Sequence, residues 1–158
     1  MNIRNELIKA IDALDQFGAP YAVCGGLAVV IHGYTRMTDD IDMLVPKDCI
    51  AQAKAALKMA GFGYVNPSPI TFKNARFPIT VHRVIRFEGE EHLTVDLIEV
   101  TEELAEIWKE RETYQWEGRK LSVVSKTGLY HMKRNAGRLQ DLADIEHLRL
   151  ADTEQHES

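Results

Sequence analysis

The stretch from Tyr21 to Val45 allows few folds. It opens on an apolar run, Tyr21-Ala22-Val23-Cys24, and breaks at Gly25-Gly26. It resumes as Leu27-Ala28-Val29-Val30-Ile31-His32 up to Gly33, and closes on Asp40-Ile41-Asp42-Met43-Leu44-Val45 ahead of Pro46. The first run suits a short buried strand, the second a helix stopped at Gly33, and residues 40–45 a second strand. Alternation along that strand puts the Asp40 and Asp42 side chains on one face. A strand–Gly–Gly–helix junction presents backbone N–H groups with no Cβ in front of them, at the positive end of a helix dipole, where phosphate binds well. The pair could equally do no more than turn the chain. Asp-x-Asp on a strand supplies two side-by-side oxygens of the kind Mg²⁺ takes together with phosphate and water. A solvated acidic edge is the plain alternative, and Asp39 adds to it.

Elsewhere the pattern alternates between helix and strand. Ile3, Leu7, Ile8, Ile11 and Leu14 share one helical face over residues 3–17, ended by Gly18-Ala19-Pro20. Residues 51–59 form a helix ending before Gly61, and residues 61–69, with two glycines and two prolines, are expected to be mostly loop. Runs 79–87 and 92–100 flank Glu88-Gly89-Glu90-Glu91 as a hairpin. Thr101 to Arg111 is expected as a helix with Thr101 as N-cap. Residues 121–124 suit a strand, Ser125 caps a helix through Met132, and a last helix spans about 138–150. The polar end, residues 151–158, is expected to be a disordered tail. Strands interleaved with helices, plus a tight hairpin, predict an α+β (mixed α/β) fold with a small mixed sheet. A chain of 158 residues suits a single domain over 1–150, with a core about 1–100 and a C-terminal helical part about 101–150.

A net charge of −5 argues against a broad nucleic-acid-binding surface. Cys24 is expected as a buried thiol, with no disulfide to Cys49 suggested. No apolar stretch approaches the ~20 residues of a membrane span, and the N-terminus lacks the apolar core of a signal peptide. A cytoplasmic protein with no membrane partner is the expectation.

A third acid lies in His92-Leu93-Thr94-Val95-Asp96-Leu97-Ile98. A carboxylate embedded among apolar residues is seldom without a partner. If its strand lies beside the Asp40/Asp42 strand, three carboxylates converge, enough for two metal ions. A salt bridge to Arg83 or Arg86 across the hairpin is the alternative.

Gly25-Gly26, thirteen residues, then Asp40-Ile41-Asp42, with Asp96 on a later strand, resembles the signature of the DNA polymerase beta-like nucleotidyltransferase superfamily. The wider run, through His32-Gly33-Tyr34, Arg36 and Thr38, is similar to small bacterial members, including those related to nucleotidyltransferase toxins of abortive-infection and toxin–antitoxin systems. The run containing Lys133, Arg138, Asp141, Leu142, Asp144 and Leu148 resembles their helical end. The resemblance implies a nucleotidyltransferase-like fold with a C-terminal helical segment. It implies that Asp40, Asp42 and Asp96 are the catalytic carboxylates and bind Mg²⁺ (two ions, with Mn²⁺ an option), Asp96 also helping to deprotonate the acceptor. Gly25 and Gly26 would cradle phosphate, and Arg36, Thr38 and Lys133 would assist in binding the nucleotide. Gly26 departs from the serine common at its place. Arg36 could clamp phosphate or pair with Asp39, and Thr38 could cap the turn into the strand. Lys133 and Arg138 could face the triphosphate or solvent, and Asp141 and Asp144 could hold them in place.

The implied activity is Mg²⁺-dependent transfer of a nucleoside monophosphate from an NTP to a hydroxyl, releasing pyrophosphate. The acceptor could be a tRNA end, a protein side chain, or a small molecule such as an aminoglycoside or lincosamide; a toxin-like enzyme acting on RNA or protein leads these. A non-catalytic binding module with the same fold, one partner of a toxin–antitoxin pair, is the competing reading. His32 is expected to be structural, and Trp108 and Trp116 to serve packing.

Overall fold

A computed structural model describes residues 1–73 and 75–157, with side chains described as far as residue 149. Helix α1 (Ile3–Gln16) starts at Asn2, whose side chain accepts a hydrogen bond from the Asn5 N–H. It leads to β1 (Ala22–Cys24), α2 (Gly25–Ile31), β2 (Asp40–Pro46) and α3 (Ile50–Met59). Two short strands follow, β3 (Tyr64–Val65) and β4 (Ile70–Phe72), then the hairpin of β5 (Ile79–Glu88) and β6 (Glu91–Val100). Beyond α4 (Ala105–Lys109) come β7 (Glu112–Trp116) and β8 (Arg119–Val123), and the chain closes with α5 (Lys126–Ala136) and α6 (Leu139–Glu157).

Among the described residues eight strands form one mixed sheet in the order β3-β5-β6-β2-β1-β8-β7, with β4 also on β5. The β5–β6, β1–β2 and β7–β8 pairs are antiparallel, whereas β2–β6 and β1–β8 are parallel. The expected mixed α+β sheet is present, and the strand of Asp96 does lie beside that of Asp40 and Asp42.

Alternation gives the sheet two unlike faces. Ile41, Met43, Val45, Val84, Val95 and Leu97 are buried among Leu7, Ile11 and Leu14 of α1 and Ala53, Ala56 and Leu57 of α3. Polar links on that face run from Glu6 of α1 to Arg86 and from Lys54 of α3 to His82, both on β5. The opposite face carries Asp40, Asp42, Asp96 and Arg83, with the start of α2 packed onto it. Asn135 of α5 clamps the approach to β5: its side chain accepts from the Phe77 N–H (2.9 Å) and donates to the Phe77 carbonyl (3.2 Å).

Several expectations need correction. The helix expected over 101–111 is a 3-10 turn at Glu102–Leu104 followed by the five residues of α4. Thr101 makes no side-chain cap bond, and its hydroxyl is buried without a partner. The chain leaves the helix because Glu112–Trp116 pairs with β8, and the strand-favouring Thr113, Tyr114 and Trp116 are satisfied there. Glu117 (φ 52°) and Gly118 (φ 76°) make the two-residue turn between them, both with the positive φ of a type I′ hairpin. The connection expected over residues 61–69 is mostly loop, broken only by the two residues of β3, and β4 follows it; both pair with β5. Helix α5 runs on to Ala136, past Met132, and stops at Gly137 in the left-handed conformation. The backbone of α6 continues to Glu157. Ser158 lies outside the described residues.

Candidate active site

One row of the sheet holds the chemistry. Arg83 of β5, Asp96 of β6, Asp42 of β2 and Cys24 of β1 are successive cross-strand partners, so their side chains share a face. Asp40 stands two residues from Asp42 on the same face, opposite Thr94. The three carboxylates expected to meet are therefore neighbours across two adjacent parallel strands, at a strand spacing of about 4.8 Å.

Their surroundings differ. Asp96 is held bidentately: Arg83 Nε donates to Oδ1 at 2.8 Å and Nη2 to Oδ2 at 3.0 Å. Asp40 and Asp42 take no side-chain hydrogen bond or ion pair from any described residue. Burial, then repulsion from Asp96 and Asp40, pushes the Asp42 carboxyl up to about 7, with Lys133 and Arg138 working against the rise. Asp40 is raised by burial and by Asp96, with Arg83 opposing. Burial also holds the free thiol of Cys24 well above its ordinary range. A half-buried carboxylate beside an exposed one, neither in contact with a cationic side chain, is what a divalent cation satisfies, and an all-oxygen donor set suits Mg²⁺ or Mn²⁺. Among the described residues, however, no group of three such side chains is gathered closely enough to hold an ion. The Arg83 fork keeps both Asp96 oxygens occupied. The donors fit the cation, with Asp40 and Asp42 as the part free to take it.

Of the glycine pair, Gly25 is required by close approach. Gly25 has φ +64°, and a Cβ there would land inside the Asp42 carboxylate. At Gly26 a Cβ would lie 2.8 Å from Thr38 Oγ1 and 2.9 Å from Arg36 Nη2. A side chain at Gly26 would therefore have to displace the ends of Arg36 and Thr38, from the connection into β2. Thr38 Oγ1 donates to the Asp40 carbonyl at 3.4 Å, the expected cap on the strand entry.

Arg36 and Lys133 are engaged differently from expectation. Arg36 pairs with neither Asp39 nor open solvent. Its Nη2 donates to Asp144 Oδ2 at 3.3 Å, and Nε lies 3.1 Å from Oδ1 without hydrogen-bond alignment. Lys133, 7% exposed, sits between Asp144 (2.9 Å) and Asp141 (3.3 Å). Arg138 Nε donates to Asp141 at 2.7 Å, yet its side chain remains 77% exposed. The result is an alternating chain, Arg36–Asp144–Lys133–Asp141–Arg138, in which both aspartates are fully buried. The suggestion that Asp141 and Asp144 hold the cations fits the structure. Lys133 is thus buried against two acids, and Arg138 is an exposed cation whose charge acts on Asp42. His32 is structural: Nε2 lies 2.8 Å from the Val124 carbonyl.

Residues 6–149 match the model of the aminoglycoside-2″-adenylyltransferase family, and the chain belongs to that family of nucleotidyltransferases. Solved structures give the same fold. A candidate nucleotidyltransferase from Thermotoga maritima superposes with a TM-score of 0.60 at 17% identity, covering 96% of this chain and 93% of that one. ANT(2″)-Ia in complex with adenylyl-2″-tobramycin gives 0.55 at 20% identity, covering 98% and 90%. An antigenic nucleotidyltransferase-like protein from Paracoccidioides brasiliensis gives 0.55 at 16% identity, covering 90% and 74%. No curated protein sequence matches.

Proposed function

We propose that this nucleotidyltransferase moves an adenylyl group from ATP to a hydroxyl of a small cationic acceptor of the aminoglycoside type, with Mg²⁺, releasing pyrophosphate. The observation that carries the reading is the Asp42–Asp96 row beside Asp40, facing the glycine start of α2. A bound divalent ion supplies Lewis acidity toward phosphate and charge neutralisation. Asp40 and Asp42 would hold it. Asp96, at the same level of the sheet as Asp42, would accept the acceptor's hydroxyl proton once its oxygens are released by Arg83. Gly25 and Gly26 let the phosphates approach the start of α2 without a Cβ in the way. Arg138, exposed and within electrostatic reach of Asp42, stabilises charge on the departing pyrophosphate. Arg36, Thr38 and Lys133 build the wall behind the nucleotide, Lys133 by field and not by contact.

The family match supports a small-molecule acceptor over the RNA end or protein side chain that headed the sequence-based list. The adenylyl-2″-tobramycin in the ANT(2″)-Ia complex supports the same choice, as does a net charge of −5, which attracts a polycation. No observation here favours a toxin–antitoxin role.

The test is pyrophosphate release from each NTP with Mg²⁺, against a panel of aminoglycosides, a lincosamide and bulk tRNA. ATP with at least one aminoglycoside is expected to turn over, and Asp42→Asn to lower the rate at least about 10³-fold. Turnover with tRNA but no small molecule would overturn the acceptor. No turnover and no nucleotide binding would overturn the activity.

A further inference from the structure

The Arg83–Asp96 fork carries an inference beyond the acid set. Arg83 and Asp96 are directly opposite across the hairpin, so the fork is built into the strand register and does not depend on a loop. Both oxygens that Asp96 would offer a cation or a proton are engaged, at 2.8 and 3.0 Å. The side chain of Arg83 is 36% exposed, while that of Asp96 is only 13% exposed. The guanidinium therefore has room to leave, and the carboxylate does not. Three carboxylates less one guanidinium leave two negative charges, which a single divalent ion neutralises. A second ion would meet the guanidinium and no spare negative charge until a triphosphate arrives with its own.

We propose that Arg83 is a latch on Asp96: without nucleotide it occupies the third carboxylate, and the phosphates of a bound nucleotide draw it away and free Asp96 for a second divalent ion. Arg83 is thus a positioning residue that makes completion of the acid set depend on the nucleotide. The guanidinium fork suits this use because it pairs equally well with carboxylate or phosphate. The inference rests on the proposed site, in which Asp40 and Asp42 hold the first ion.

The test is Mn²⁺ binding followed by calorimetry and by electron paramagnetic resonance, with and without an α,β-methylene ATP analogue. Wild type is expected to bind one ion alone and two with the analogue. Arg83→Gln should bind Mn²⁺ at least about tenfold more tightly without nucleotide, or take up two ions. The double variant Arg83→Gln/Asp96→Asn removes the fork without changing net charge and keeps similar shapes. It should match wild type within about twofold without nucleotide and lose the second ion with it. Arg83→Gln binding as wild type does, or the double variant binding more weakly without nucleotide, would overturn the latch. The double variant decides the matter should Arg83→Gln fail to fold. Wild type that binds no Mn²⁺ under either condition would overturn the metal site itself, and the latch with it.

Discussion

Asp42 is held at odds with its ionisation. It stands over Gly25, beside Asp96 and near Asp40, which together with burial pushes its carboxyl up to about 7, well above the ordinary aspartate range. A raised carboxylate contributes stability below its unfolded pKa, and that contribution is lost as pH rises through the folded one. The metal-free protein should therefore weaken between about pH 4 and pH 7. Asp42→Asn removes the penalty, so at pH 8 without metal it should be more stable than wild type by about 4 kcal/mol, with little difference at pH 4. Urea unfolding at the two pH values checks this, and Mg²⁺ should stabilise wild type but not the variant. Equal stability at pH 8 would mean that Asp42 is not strained by its neighbours.

The C-terminal helices are tied to the sheet by charge as well as by apolar contact. Arg36 comes from the connection after α2, Lys133 from α5, and Asp141 and Asp144 from α6. Burial alone would raise Asp141, but the Arg138 hydrogen bond and the charges of Lys133 and Arg138 hold it below its usual range. The network is therefore formed at neutral pH and dissolves only in acid. Removing the central cation leaves two buried carboxylates facing each other. Lys133→Met should cost about 3 kcal/mol in urea unfolding, despite its matching volume and apolar character. A loss below about 1 kcal/mol would show that the two arginines alone satisfy the aspartates. The Tyr34–His147 ring stack, at 3.7 Å between centroids, joins the same two regions and should survive the change.

For the molecule as a whole, a ligand that binds only the native state raises stability by mass action. Mg²⁺ with ATP at about 100 times its Kd should stabilise the protein by about 2.7 kcal/mol, or roughly 5–10 °C in thermal unfolding. The shift should need both components, because the triphosphate and the free acids repel each other without the cation. A full shift with ATP alone would place the nucleotide away from Asp40 and Asp42.

Much of this was written locally in the chain. Glycine before an apolar helix, Asp-x-Asp on a short strand and an acid inside an apolar run are patterns of adjacent residues, and period two alone puts Asp40 and Asp42 on one face. Even the choice of Arg83 over Arg86 was within reach. Counting back from the Gly89-Glu90 turn sets Arg83 opposite Asp96 and Arg86 opposite Leu93 on the other face. The hairpin at Glu117-Gly118 was missed because a glutamate at positive φ gives no signal of its own. What no window of sequence could settle is which distant segments meet. The parallel pairing of β2 with β6 joins residues more than fifty positions apart, and it decides that Asp42 and Asp96 are neighbours. The joining of Arg36 to Asp144, 108 positions away, likewise decides that this arginine is a tie between elements and not a free clamp. Sequence sets each element's own face by backbone period, whereas the partners of a charge follow from burial and packing, which only the assembled chain provides.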